Sequence, residues 1–130
     1  MSGRPIQTFR DLVAWQRGIT LAELAYAFVR QLPREEEFGL KSQIRRAATS
    51  VPLNVAEGYG LGSREQFLKH LRHARGSCME VDTAVELARR IYQLEGDQEL
   101  IGLISETDRV LQGLIRSLRS SELPGPNDSR

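Results

Sequence analysis

The sequence is short of the residues from which active sites and cross-links are usually made. It holds one cysteine, one tryptophan and two histidines, and aromatic residues make up 6% of it. A lone Cys78 cannot form an internal disulfide, which fits a reducing compartment. No apolar run approaches the roughly 18–20 residues that a membrane-spanning helix needs. The opening residues, Met1 to Gln7, contain no apolar stretch of the kind a secretory signal requires. These absences lead to the expectation of a cytoplasmic protein. Stretches that alternate apolar and polar residues are also missing, so no sheet is expected. Even net charge is scarce: 18 Lys and Arg stand against 17 Asp and Glu, a formal +1.

What is present is helical periodicity. With 130 residues, 40% of them hydrophobic and 27% charged, the chain has the material for one domain around one core. The first apolar stripe reads Leu12, Trp15, Ile19, Ala22, Tyr26 and Val29, in alternating steps of three and four. Thr8 is its expected cap, Asp11 an acidic first-turn residue, and Pro33 its terminator. A second helix is expected to open in Glu35, Glu36 and Glu37 and to run through Leu40, Ile44, Ala47, Ala48 and Val51 to about Glu57. Pro52 removes one ladder hydrogen bond there, so a kink or irregularity is expected near Ala48–Pro52. Three glycines, Gly58, Gly60 and Gly62, then mark a connection.

Ser63 and Gln66 form a capping box for the third helix, which has the most regular stripe: Phe67, Leu71, Ala74, Cys78, Val81, Val85, Ala88 and Tyr92. Gly76 inside it costs about 1 kcal/mol relative to alanine, which points to close approach by a neighbouring backbone. Asp97 is expected to cap the fourth helix, whose seam reads Leu100, Ile104, Thr107, Leu111, Leu114 and Leu118, widened by Leu103, Val110 and Ile115. The expected fold is all-α, an antiparallel up-down-up-down four-helix bundle over residues 9–121. A flexible segment, 1–8, should precede it and a disordered tail, 122–130, should follow.

Catalytic constellations are not evident. His70 and His73 do not complete the Glu-x-x-His pairs of bundle metal sites, so neither a metal nor another cofactor is expected. Cys78 lies on a seam without an adjacent base. The glycines at 58, 60 and 62 lack the Gly-Lys-Ser/Thr of a phosphate loop. An enzyme is therefore the least favoured class.

Charge is distributed unevenly. Between Lys41 and Arg75 the balance is +5, leaving −4 for the rest, an asymmetry that can draw an anionic partner to one region. Arg45, Arg46, Arg64, Lys69, Arg72 and Arg75 are the candidate phosphate contacts. Arg45 and Arg46 diverge by about 100° on a helix, so one of them is expected to pair with Glu57 or with a neighbouring subunit. No aromatic stacking platform accompanies these cations, which argues against sequence-specific reading of single strands. Ser50, Pro52, Asn54 and Glu57 are polar or kinking groups in an apolar helix. Buried Asn and Glu need partners, for which carbonyls around Pro52, Gln43 and Ser77 are candidates.

Four clusters resemble one known family. They are Phe9, Leu12, Trp15 and Gln16; Gly39, Leu40, Gln43, Arg45, Arg46 and Ala47; Ser50, Pro52, Asn54, Ala56, Glu57 and Gly58; and Phe67, Leu68, Ala74, Gly76 and Ser77. Together they resemble the four-helix bundle proteins known as 23S rRNA intervening-sequence proteins, over roughly Phe9 to Leu118. The resemblance implies an antiparallel four-helix bundle that assembles into a ring-like homopentamer. It also implies a relation to the accessory protein of diversity-generating retroelements, a basic pentamer that associates with a reverse transcriptase and nucleic acid. This chain is near neutral, where that branch is strongly basic. The leading expectation is a homo-oligomer that binds RNA or DNA through its basic surface; the other is a protein–protein scaffold using the same arginines.

Overall fold

The computed structural model describes residues 5–120, and within them the chain is a bundle of four α-helices with no strand. The helices are α1 (Val13–Val29), α2 (Leu40–Leu61), α3 (Arg64–Tyr92) and α4 (Gln98–Arg119). The expected tail 122–130 lies outside the described residues, as do residues 1–4 of the expected flexible segment. Gln7 and Thr8, also in that segment, donate their backbone N–H groups to the Asp11 carboxylate at 2.8 and 3.1 Å. Thr8 does cap, but it caps a 3-10 turn, Phe9–Asp11, and α1 follows from Val13.

Cross-helix bonds run in opposite chain order for three neighbouring pairs. Ser50–Ser77 and Asn54–His70 join α2 to α3, and Arg75–Asp108 and Arg64–Leu118 join α3 to α4. Arg17–Glu106 joins α1 to α4, and Gln31–Asp97 joins the chain just after α1 to the residue just before α4. These pairs are therefore antiparallel, and one core lies between the four helices.

The α3 stripe matches its expectation closely: Phe67, Leu71, Ala74, Cys78, Val81, Val85 and Ala88 are all buried, and Tyr92 is half-buried. On α4, Leu100, Ile104, Thr107, Leu111 and Leu118 are buried, with Ile115 taking the place expected for Leu114. The α1 expectation is corrected. The ends of the expected stripe, Leu12 and Val29, are buried, but between them the buried residues are Ala14, Gly18, Leu21, Ala25 and Phe28, while Trp15, Ile19 and Ala22 are half-buried and Tyr26 is exposed. Two apolar stripes lie side by side on α1, and the one through Gly18 wins because it admits Pro52. A Cβ on Gly18 would stand 3.2 Å from three atoms of Pro52.

The second helix differs at both ends. The acidic run forms a separate 3-10 turn, Arg34–Glu36, from which the Glu36 carboxylate accepts the Leu40 N–H at 2.9 Å at the start of α2. The same carboxylate accepts the Tyr92 hydroxyl at 2.5 Å, tying this turn to the far end of α3. The Leu40 and Tyr92 bonds hold Glu36 below the usual carboxylate range, and Glu36 pushes the Tyr92 phenol up to about 12. At the other end, α2 runs on to Leu61, so Gly58 and Gly60 are helical and the connection shrinks to Gly62 and Ser63. The helix is unbroken through the buried Pro52.

Gly62 closes α2 in the left-handed region at φ 91°, where glycine carries no Cβ penalty. Ser63 Oγ then accepts the Gln66 N–H at 3.1 Å, one half of the expected capping box. Asp97 is the residue before α4 but does not cap it with its side chain; its carboxylate takes the Gln31 amide at 3.2 Å instead.

Helical glycines differ in what they do. A Cβ on Gly58 would come within 2.6 Å of His70 Cβ, whereas one on Gly60 would meet nothing within 4 Å. Gly58→Ala should therefore destabilise by about 1–2 kcal/mol, overpacking outweighing the gain in helix propensity. Gly60→Ala should raise stability by up to about 1 kcal/mol. Urea denaturation of the two variants reads this sign change directly; equal midpoints would refute it.

Candidate nucleic-acid interface

The six candidate cations are not one patch. Arg45 Nη2 is 3.1 Å from Glu37 Oε2, so its partner is Glu37 on the preceding turn, not Glu57. Glu37 also takes Lys41 at 3.5 Å. Arg64 donates from Nη1 to the Leu118 carbonyl at 3.1 Å, a cation at the negative end of α4. Arg75 forms a two-pronged pair with Asp108, Nε to Oδ1 at 2.7 Å and Nη2 to Oδ2 at 3.2 Å. Arg64 and Arg75 tie α3 to α4, Arg45 ties α2 to the turn before it, and each is already engaged within the chain.

Arg46, Lys69 and Arg72 are different. All three are exposed, and among the described residues none has an ion-pair or hydrogen-bond partner. Lys69 and Arg72 lie on the outer face of α3 and line an open groove with His73, Gly76, Ser77 and Glu80. Arg46 sits one turn before Ser50 on α2, and Ser50 meets Ser77 of α3, so Arg46 stands near the α2–α3 seam, while Lys69 and Arg72 face outward from α3.

A chain of hydrogen bonds backs this seam. Ser50 Oγ and Ser77 Oγ are 2.7 Å apart, Asn54 Nδ2 donates to Ser50 O and Oγ at 2.9 Å each, and Asn54 Oδ1 lies 2.9 Å from His70 Nδ1. Because the Asn54 amide nitrogen is already donating to Ser50, its Oδ1 faces His70 as acceptor and the imidazole donates from Nδ1. Ser77 therefore pairs with Ser50 and not, as expected, with Asn54 or Glu57, while the carbonyl that Asn54 uses is that of Ser50, one turn back. Gln43 is exposed and takes no part through its side chain, and Glu57 is exposed and needs no buried partner. Gly58 admits His70, and Pro52 rests on Gly18. Gly76 does not meet the expected neighbouring backbone: a Cβ there would find nothing within 4 Å.

His73 and Glu80 belong to the groove and were missed. Their signal lay in the sequence, three residues before and four after Gly76, where a helix places them around the same point. The Arg75–Asp108 pair had a signal too. Asp108 stands directly beside the α4 seam, where a carboxylate calls for a cation on the facing helix.

No group of three or more His, Cys, Asp or Glu among the described residues is placed to hold a metal. Cys78 is fully buried, and burial with the nearby Asp108 charge pushes its thiol up to about 12, the reverse of an activated nucleophile. No helix among the described residues is long and apolar enough to cross a membrane.

Burial raises the Asp108 carboxyl, but bonds from Arg75 and Gln112 together with the Arg75 charge bring it below its usual value. Such a group stabilises the fold above its unfolded pKa of about 3.9, and the contribution is lost as pH falls through the folded value. Asp108→Asn should lower stability at neutral pH and lose less further stability between about pH 5 and pH 2. Urea midpoints across that range test it; parallel profiles for variant and parent would count against the assignment.

A comparison with curated proteins finds no match. Among solved structures, the chain is similar to a protein of unknown function from the S23 ribosomal protein family of Bacteroides thetaiotaomicron. The two share 23% identity with a TM-score of 0.70, over 80% of this chain and 99% of that one, a likeness that shows the fold. The profile of the 23S rRNA-intervening sequence protein family matches residues 10–116 of the 130, and the chain belongs to that family.

Proposed function

We propose that the protein is a non-catalytic, self-assembling subunit that binds the phosphate backbone of RNA or DNA through Arg46, Lys69 and Arg72. The observation that carries this reading is the state of those three cations: exposed and unpartnered on the outward faces of α2 and α3, while Arg45, Arg64 and Arg75 are engaged by groups of the chain itself. An unpaired cation gives up little when it meets phosphate, because it breaks no ion pair and releases condensed counterions.

Three contacts per subunit bind weakly. Assembly into a homo-oligomer, a ring of five in the family this chain resembled from its sequence, presents the set repeatedly along one strand and turns weak contacts into avidity. Neither a stacking platform nor a base-reading element accompanies the cations, so the binding is to backbone and tolerant of sequence. Such a subunit suits an accessory role beside an enzyme that handles the same nucleic acid, a reverse transcriptase being one candidate.

Fluorescence anisotropy of nuclease-treated protein with labelled 20-mers of RNA and DNA tests the reading. Affinity should fall with salt at a log–log slope of about 2–3 per engaged subunit. Replacing Arg46, Lys69 and Arg72 together by Ala should remove most of that slope, and Arg45→Ala should leave it unchanged. Light scattering on the same sample gives the number of copies. Absence of any retention of either polymer at low salt sinks the nucleic-acid reading and leaves the protein-scaffold role in its place.

A further inference from the structure

Gly76 lies in the middle of α3, where glycine is unfavourable relative to alanine. The other tight glycines of the bundle answer to a neighbour: Gly18 to Pro52, Gly58 to His70. Gly76 answers to none, since a Cβ there would meet nothing within 4 Å. The missing side chain instead opens the outer face of α3 into a groove of about 500 Å³ lined by Lys69, Arg72, His73, Ser77 and Glu80. A second, smaller hollow on its other flank is lined by Arg72, Arg75 and Met79.

We propose that the Gly76 groove is the seat of one backbone phosphate of the bound polynucleotide, a proposal that rests on the nucleic-acid reading above. On a helix, Arg72 and His73 are one turn before Gly76 and Lys69 is two, so their donors converge from the same side. With no Cβ between them, a phosphodiester descends to the helix surface and meets several donors at once. Lys69 and Arg72 carry no competing in-chain partner. The wall toward α2 is preformed, because Ser77 is held on Ser50. Glu80 closes the far end and is the one carboxylate of the lining. It confines the phosphate to the Lys69–Arg72 side and holds affinity down. A helix from a second copy fits less well, because docking helices need a continuous apolar ridge and this lining is polar.

The test uses the full chain with labelled oligo(U) and oligo(dT) 20-mers at low salt, beside thermal melts and light scattering. Gly76→Ala should raise the melting temperature, as should Gly102→Ala, the control glycine of α4 that also has open space around it. Gly76→Ala should nevertheless weaken binding of both polymers, and Gly76→Leu should weaken it on the order of tenfold. Gly102→Ala should leave binding unchanged. Glu80→Gln should tighten binding and Arg72→Gln should loosen it. If the parent protein binds but the Gly76 and Glu80 variants bind equally well, the groove holds no phosphate while the wider reading stands. If those variants change the mass of the assembly and not the affinity, the groove belongs to a second copy and the proposal is overturned. If the parent binds neither polymer, both readings fall together.

Discussion

The closeness of α2 to α3 governs the rest of the molecule. Gly58 leaves room for the base of His70, small residues such as Ala47, Ala48, Ala74 and Cys78 fill the buried side, and two serine hydroxyls meet at 2.7 Å. Helices that touch at side chains of this size have little freedom to rotate against each other. Once α3 is fixed against α2, its opposite flank must face α4, where Arg75 finds Asp108. The remaining face, with Lys69, Arg72 and Gly76, is turned outward. The exposed cations are thus a geometric product of the packing, and their location is as rigid as the seam behind them.

Much of this was legible in the sequence where one stripe had no competitor. The α3 pattern is a single run at three-and-four spacing, and seven of its eight positions are buried. On α1 two stripes compete, and hydrophobicity favoured the one with Trp15, Ile19 and Tyr26. The other won because Gly18, which counts for nothing on a hydrophobicity scale, is the position at which Pro52 can approach. Glycine misled at the end of α2 for a related reason. Its low helix propensity marks Gly58 and Gly60 as loop, yet both are helical, and at Gly58 the packing against His70 requires a helix without a side chain. Propensity is a local quantity, and a close crossing is not.

The candidate site was legible in outline only. A charge count finds that the stretch from Lys41 to Arg75 is basic, but it cannot see which cations are already neutralised from outside that stretch. Glu37, Asp108 and the Leu118 carbonyl all lie beyond its ends, and they take half of the candidates. The polar network was anticipated because Asn54 and Ser50 sit beside a buried face and must find partners. Its composition followed from reach: Ser77 is opposite Ser50, whereas Gln43 lies two turns away and on the solvent side. Partners from outside the stretch separate its structural arginines from its available ones, which composition alone mixes.

The two-residue joint at Gly62 and Ser63 bears on how the chain acquires its shape. It makes α2 and α3 a helical hairpin whose ends are brought together at small loop-closure entropy. The α3–α4 joint has five residues, 93–97, whereas α1 and α4 meet only across most of the chain's length. Local pairings of this kind put the bundle among fast-folding topologies. A ribosome releases residues in order, and the hairpin from Leu40 to Tyr92 has its whole polar network before α4 is made. The helices that carry Arg46, Lys69 and Arg72 are then paired while the core is still open on the side that α4 will fill.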